Sequence, residues 1–145
     1  MASGVAPGQS VEAKGPASSS LVVMVDGDKS ALKSLRVLLE SNGFSVAAAA
    51  SGTEALQILR ESVPAVLILE TEIPGMSGYD LCHIVKRDVR LQRVPVMFLT
   101  SDGSAKSYRT GYDAGASAFV IKPYKPELVV GMVAALSRML LPAHS

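Results

Sequence analysis

One cysteine in 145 residues, a formal net charge of only +1 and no long apolar run are the shortages of this sequence. Each closes off a class of protein. Cys82 has no second thiol to pair with, so the fold must rest on core burial and not on internal cross-links. The 14 basic and 13 acidic residues nearly cancel, which leaves no broad positive field for nucleic acid or an anionic membrane. No apolar stretch approaches the roughly 20 residues of a membrane span. The N-terminus lacks a basic segment followed by an apolar one, so no signal peptide is read and the expected setting is the cytoplasm. What is present, 48% hydrophobic residues over this length, suits one domain around a single core.

The opening "MASGVAPGQSVEAKGPASSS" is rich in Gly, Ala, Pro and Ser without apolar period, so residues 1–20 are expected to form a disordered tail. From Leu21 the character changes. Apolar segments "LVVMV" (21–25), "FSVAAA" (44–49), "AVLIL" (65–69), "PVMFLT" (95–100) and "AFVI" (118–121) read as strands, and all but the second are nearly continuous hydrophobic runs. Such runs fit parallel strands covered on both faces, because a sheet with one wet face would alternate. Stretches of helical period at 29–41, 53–61, 79–88, 105–114 and 126–141 supply the cover. Five strands alternating with five helices predict a doubly wound α/β domain of flavodoxin-like order 2-1-3-4-5 over 21–141, with 142–145 a short tail. Its working end is expected at the carboxyl ends of the first and third strands.

The residues at strand exits carry chemistry. Asp26, Gly27 and Asp28 follow the first strand, Glu70 the third, Thr100 and Ser101 close the fourth, and Lys122-Pro123 follows the fifth. With the turn "PGMSG" and the spacing from Thr100 through "DAGASAFVIKP", this set resembles the receiver domain of two-component response regulators, with a CheY-like fold. The resemblance implies that a strand-three aspartate accepts a phosphoryl group beside Mg²⁺ held by an acidic pair after strand one. It matches Thr100 and Lys122 to the groups that contact the phosphoryl oxygens, and Thr100 and Phe119 to the switch positions.

Two departures stand out. Glu70 replaces the aspartate, and Gly27 replaces the second acid of the pair. A carboxylate one methylene longer is displaced by about 1 Å, an error that can cost ~100-fold in a reaction catalysed by positioning. Loss of a carboxylate weakens Mg²⁺ binding, since that ion sheds water reluctantly. The degenerate phosphoacceptor site therefore comprises Glu70, Asp26, Gly27, Asp28, Thr100 and Lys122. Two readings of it stand: a receiver held near its active form by a built-in acid, and an eroded site where Glu70 merely neutralises Lys122.

The last helix adds a second clue. Val129, Val130, Val133 and Leu136 should face the sheet, while Leu128, Met132, Ala135 and Met139 recur on another side, where charge would be the default. A second apolar stripe suggests a covered surface. The resemblance implies that the fourth helix, fifth strand and fifth helix form the usual dimer or effector face; here that partner or homodimer face would comprise Tyr108, Tyr112, Phe119, Leu128, Met132 and Met139. The plainer alternative is that Leu128 and Met139 sit at helix ends, partly covered by loops. Cys82 reads as core packing, His83 and His144 as surface residues without ligand spacing, and Gly111 and Gly131 as sites of close helix packing.

The expected function is thus a phosphorylation-independent receiver-like domain that binds protein, is not an enzyme and needs no cofactor. One rival is a working phosphoacceptor that uses Asp26 and Asp28 for Mg²⁺ and tolerates glutamate, the metal being bound weakly through Asp26, Asp28 and Glu70. Another is a flavin or nucleotide binder on the same fold, which the carboxylates of "DGDKS" disfavour by repelling phosphate.

Overall fold

The computed structural model describes residues 21–140, so the expected tails at 1–20 and 142–145 lie outside the described residues. Strands β1 (Leu21–Val25), β2 (Ser45–Ala49), β3 (Val66–Leu69), β6 (Val96–Thr100) and β7 (Ala118–Ile121) form one parallel sheet in the order β2-β1-β3-β6-β7. Counting only these strands, that is the expected 2-1-3-4-5 arrangement. Five helices cover it: α1 (Lys29–Glu40), α2 (Gly52–Glu61), α3 (Gly78–Arg87), α4 (Ala105–Asp113) and α5 (Pro126–Ser137).

Side chains that alternate along each strand feed two cores. Val22, Met24, Ile68, Met97 and Leu99 point to the face packed by Leu35 and Leu39 of α1 and Val129 and Val133 of α5. Val23, Val25, Leu67, Leu69 and Phe98 point to the other face, against Leu59, Leu81 and Val85. Full burial on both faces is why these runs lack polar residues, and each large side chain so buried contributes about 1.5–3 kcal/mol. Strand β2 lies at the sheet edge with its first residue exposed, which explains its mixed composition.

Helix starts are marked in the sequence by short polar caps. Ser51, Ser77 and Ser104 each accept a hydrogen bond from the backbone N–H three residues on, and Glu54 reaches back to Ala50 N at 2.7 Å. Such reciprocal bonding satisfies N–H groups that the first turn leaves open. Gly115, at φ +110°, ends α4 in the left-handed conformation that side chains resist.

Several expectations need correction. Phe44, Ala65 and Pro95 precede their strands instead of opening them, and the last helix leaves α geometry at Ser137 for a 3₁₀ turn, Arg138–Leu140. A short antiparallel hairpin, β4 (Glu72–Ile73) with β5 (Met76–Ser77), occupies what reads as a plain turn; Gly75 at φ +89° makes its bend. Gly78 begins α3 one residue earlier than predicted, where a Cβ would lie 2.0 Å from the Glu70 carbonyl oxygen. Gly111 does serve close packing, with Phe119 3.0 Å from where its Cβ would be, but Gly131 faces open space and permits none. His83 is half-buried and not a surface residue; His144 lies outside the described residues.

Candidate functional site

Parallel strands end together, so β1, β3, β6 and β7 deliver their following residues to one crevice. The backbone bond from Glu70 N to Val25 O, 3.0 Å, holds the exits of β1 and β3 side by side, and that from Lys122 N to Thr100 O, 2.8 Å, does the same for β7 and β6. Asp26, Glu70, Thr100 and Lys122 thus meet as the sequence predicts.

Lys122 organises the cluster. Its Nζ donates to Asp26 Oδ2 at 2.7 Å and to Glu70 Oε1 at 3.1 Å. All three side chains are largely withdrawn from water, with exposures of 15% for Asp26, 16% for Glu70 and 20% for Lys122. Burial pushes the lysine pKa down, but its bonds to Asp26 and Glu70 outweigh this and raise it above the ordinary value, so the ammonium is held charged.

The other carboxylate oxygen of Glu70 turns towards β6. Oε2 accepts from Thr71 N at 2.8 Å and from Thr71 Oγ1 at 3.3 Å. Thr71 Oγ1 lies 3.2 Å from Thr100 Oγ1. Since an ionised Glu70 only accepts, Thr71 gives it its hydroxyl proton and Thr100 must donate to Thr71. Thr100 Oγ1 in turn accepts from Asp102 N at 3.2 Å. A directed chain therefore runs from the loop before α4 through two buried hydroxyls to Glu70. Thr71 belongs to this site and was passed over in the sequence; its position directly after Glu70, next to a hydroxyl-ended strand, was the available signal.

Asp28 does not join the cluster. Its carboxylate accepts from Ser30 N at 2.9 Å and Ala31 N at 3.2 Å, capping α1, which corrects the expectation that it could stand in as a metal ligand. Gly27 is not merely short of a carboxylate: a Cβ there would sit 2.8 Å from Pro74 Cδ. Among the described residues no group of three or more His, Cys, Asp or Glu side chains is arranged to hold a metal. Asp26 Oδ1 already accepts from Asp28 N, and the remaining oxygens of Asp26 and Glu70 carry the bonds above. This donor set does not fit Mg²⁺: with Gly27 in place of the second acid and Asp28 set as a cap, the two carboxylates that remain share one ammonium, short of the near-octahedral oxygen array that ion requires.

Away from the crevice, β7 is the sheet edge, with α4 on one face and α5 on the other. Tyr108, Tyr112, Leu128 and Met139 are exposed along it, and so is Ile121, which the sequence reading did not single out. Leu128 and Met139 keep 49% and 57% of their surface, so no loop among the described residues covers them. Met132 is different: it is half-buried against the core on the α5 side of the sheet, and its assignment to the outer stripe is corrected accordingly. Phe119 is also half-buried, its ring 5.5 Å from that of Tyr108 and 5.9 Å from Phe98. Tyr79, likewise unflagged by the sequence, hydrogen-bonds the Ser107 hydroxyl and ties α3 to α4. Cys82 is buried and donates to Ala114 O; burial pushes its thiol up to about 11, the behaviour of a packing residue.

A five-stranded parallel sheet that gathers acids, a hydroxyl and a lysine at its carboxyl end is the architecture of a receiver. The chain belongs to the response regulator receiver domain family, whose model matches residues 22–134. It is 33% identical over 117 residues to the DNA-binding response regulator MtrA of Mycolicibacterium paratuberculosis, covering 81% of this chain and 51% of that protein. Response regulator Rre1 of Synechocystis is 34% identical over 113 residues, 77% of this chain and 49% of its own length. The chain thus spans about half the length of these curated relatives. In structure it is similar to the chemotaxis response regulator CheY4 of Vibrio cholerae, with a TM-score of 0.76 at 26% identity over 81% of this chain and 98% of that one.

Proposed function

We propose that this receiver domain signals without being phosphorylated and works as a protein-binding module, not as an enzyme. One observation carries the reading: Glu70 already makes, with its own carboxylate, the contacts that the resemblance assigns to the phosphoryl group, to Lys122 directly and to Thr100 through Thr71. A carboxylate offers one charge and two oxygens where a phosphoryl group offers about −1.5 to −2 and three, so the imitation is of contacts more than of charge. The half-buried Phe119, packed between Tyr108 and Phe98, supports a settled switch. The misfit of the donor set to Mg²⁺ and the capping role of Asp28 count against the rival phosphoacceptor.

Partner binding belongs, on this reading, to the α4–β7–α5 edge. Tyr108, Tyr112, Ile121, Leu128 and Met139 give it an apolar surface with aromatic anchors, the composition of interface cores. A second copy of this domain or another signalling protein is the expected occupant. Incubation with acetyl phosphate and Mg²⁺, followed by intact-mass measurement, tests the central claim: the mass should not change. A stoichiometric, hydroxylamine-sensitive gain of one phosphoryl group would overturn it.

A further inference from the structure

Behind the crevice, on the side of the sheet covered by α1, lies a chamber of about 310 Å³ that the signalling role does not use. Leu35, Ile68 and Leu99 supply apolar walls, and Asp26, Glu70 and Lys122 close one end. A space of this size beside a packed core is large enough for a small ligand, and apolar walls with a few convergent polar groups are the usual make-up of such sites.

We propose that the chamber binds a small primary amine carrying a compact apolar body. Its charge selects the class. Asp26 and Glu70 outnumber the lone Lys122, whose ammonium already has a carboxylate at 2.7 Å on one side and 3.1 Å on the other. An arriving anion would therefore meet carboxylates and not a free cation. An ammonium meets acceptors with capacity to spare: an ionised carboxylate has about four lone-pair sites, and among the described residues the Asp26 carboxylate engages only Lys122 Nζ and Asp28 N. Withdrawal from water strengthens the attraction, while the apolar body covers the walls. The inference does not depend on how the crevice signals, since it needs only the cavity and the charges at its end.

Three probes of matched shape test it on the full chain by ¹H–¹⁵N NMR titration: phenethylamine, 2-phenylethanol and phenylacetate. Phenethylamine should shift the amides of Ala31, Leu35 and Tyr124, bind about tenfold more tightly than the alcohol, and leave phenylacetate the weakest of the set. Glu70→Gln should lower amine affinity about tenfold and leave the alcohol unchanged. Ser34→Phe, a substitution at an exposed α1 residue on the chamber rim, should abolish binding of both. Should that variant not fold, Overhauser contacts in the wild type between ring protons and the Leu35 and Leu99 methyls decide the location. The proposal fails if no probe binds, if phenylacetate binds as well as phenethylamine, or if those contacts are absent.

Discussion

The carboxyl-end crevice and the α4–β7–α5 edge lie on the same strands yet are finished in opposite ways. In the crevice Lys122, both carboxylates and both threonine hydroxyls are matched with one another. Along the edge, Tyr108, Leu128 and Met139 remain about half exposed among the described residues. On the proposed reading, a site whose lysine is already shared by two carboxylates draws a phosphoryl donor poorly, whereas an apolar surface left open gains by association. The difference points, on that same reading, to the edge as the surface that binds a partner.

The comparison breaks most forcefully at Lys122. Lys122→Met leaves two facing, mostly buried carboxylates without their shared cation, and about 2–3 kcal/mol of stability should disappear in urea unfolding at pH 7, less than for a fully buried pair. Because the folded pKa is raised, the wild type should keep this contribution at neutral pH, fully below the ordinary lysine value of 10.5, and lose it as the pH climbs through the higher folded value.

Gly27→Asp should cost about 1–3 kcal/mol, since the new side chain must displace Pro74. Pro74→Ala should recover most of that loss, a coupling readable in a double-mutant cycle. If Gly27→Asp is neutral, the crevice is looser than its contacts imply. Restoring Mg²⁺ affinity by Glu70→Asp with Gly27→Asp should accordingly work better in the Pro74→Ala background, as measured by metal titration.

At the edge the sign reverses. Leu128→Glu and Met139→Glu should change stability by less than about 0.5 kcal/mol, because both side chains are already half in water. Either should nonetheless reduce self-association or partner capture, seen by sedimentation or co-purification. Met132→Glu, by contrast, should lower the thermal midpoint, because Met132 packs against the core. Unchanged association in the Leu128 and Met139 variants would move the binding face elsewhere. The smallest effect is expected at Cys82: its thiol is buried and its pKa pushed up, so alkylation of the native protein at about pH 8 should be far slower than that of the urea-unfolded chain.

The strands and helices were legible because their signal is local. A continuous apolar run such as residues 65–69, or a leucine spacing such as Leu32, Leu35 and Leu39, reports the environment of its own segment. The strand-end residues followed from topology alone, since parallel strands deliver their exits to one end. The hairpin around Gly75 was not legible, because two residues per strand carry no period. Nor was the role of Asp28, for which cap and metal ligand demand the same side chain.

By itself, then, the sequence determined the layered fold, the strand order and the meeting of Asp26, Glu70, Thr100 and Lys122, all consequences of side-chain period and crossover handedness. Tertiary structure alone decided that Glu70 reaches Thr100 through Thr71, that Pro74 occupies the space above Gly27, and that Met132 turns inward while Leu128 and Met139 stay out. Those outcomes depend on distances of a few tenths of an ångström between segments far apart in the chain. No local pattern encodes them; close packing between neighbouring elements sets them.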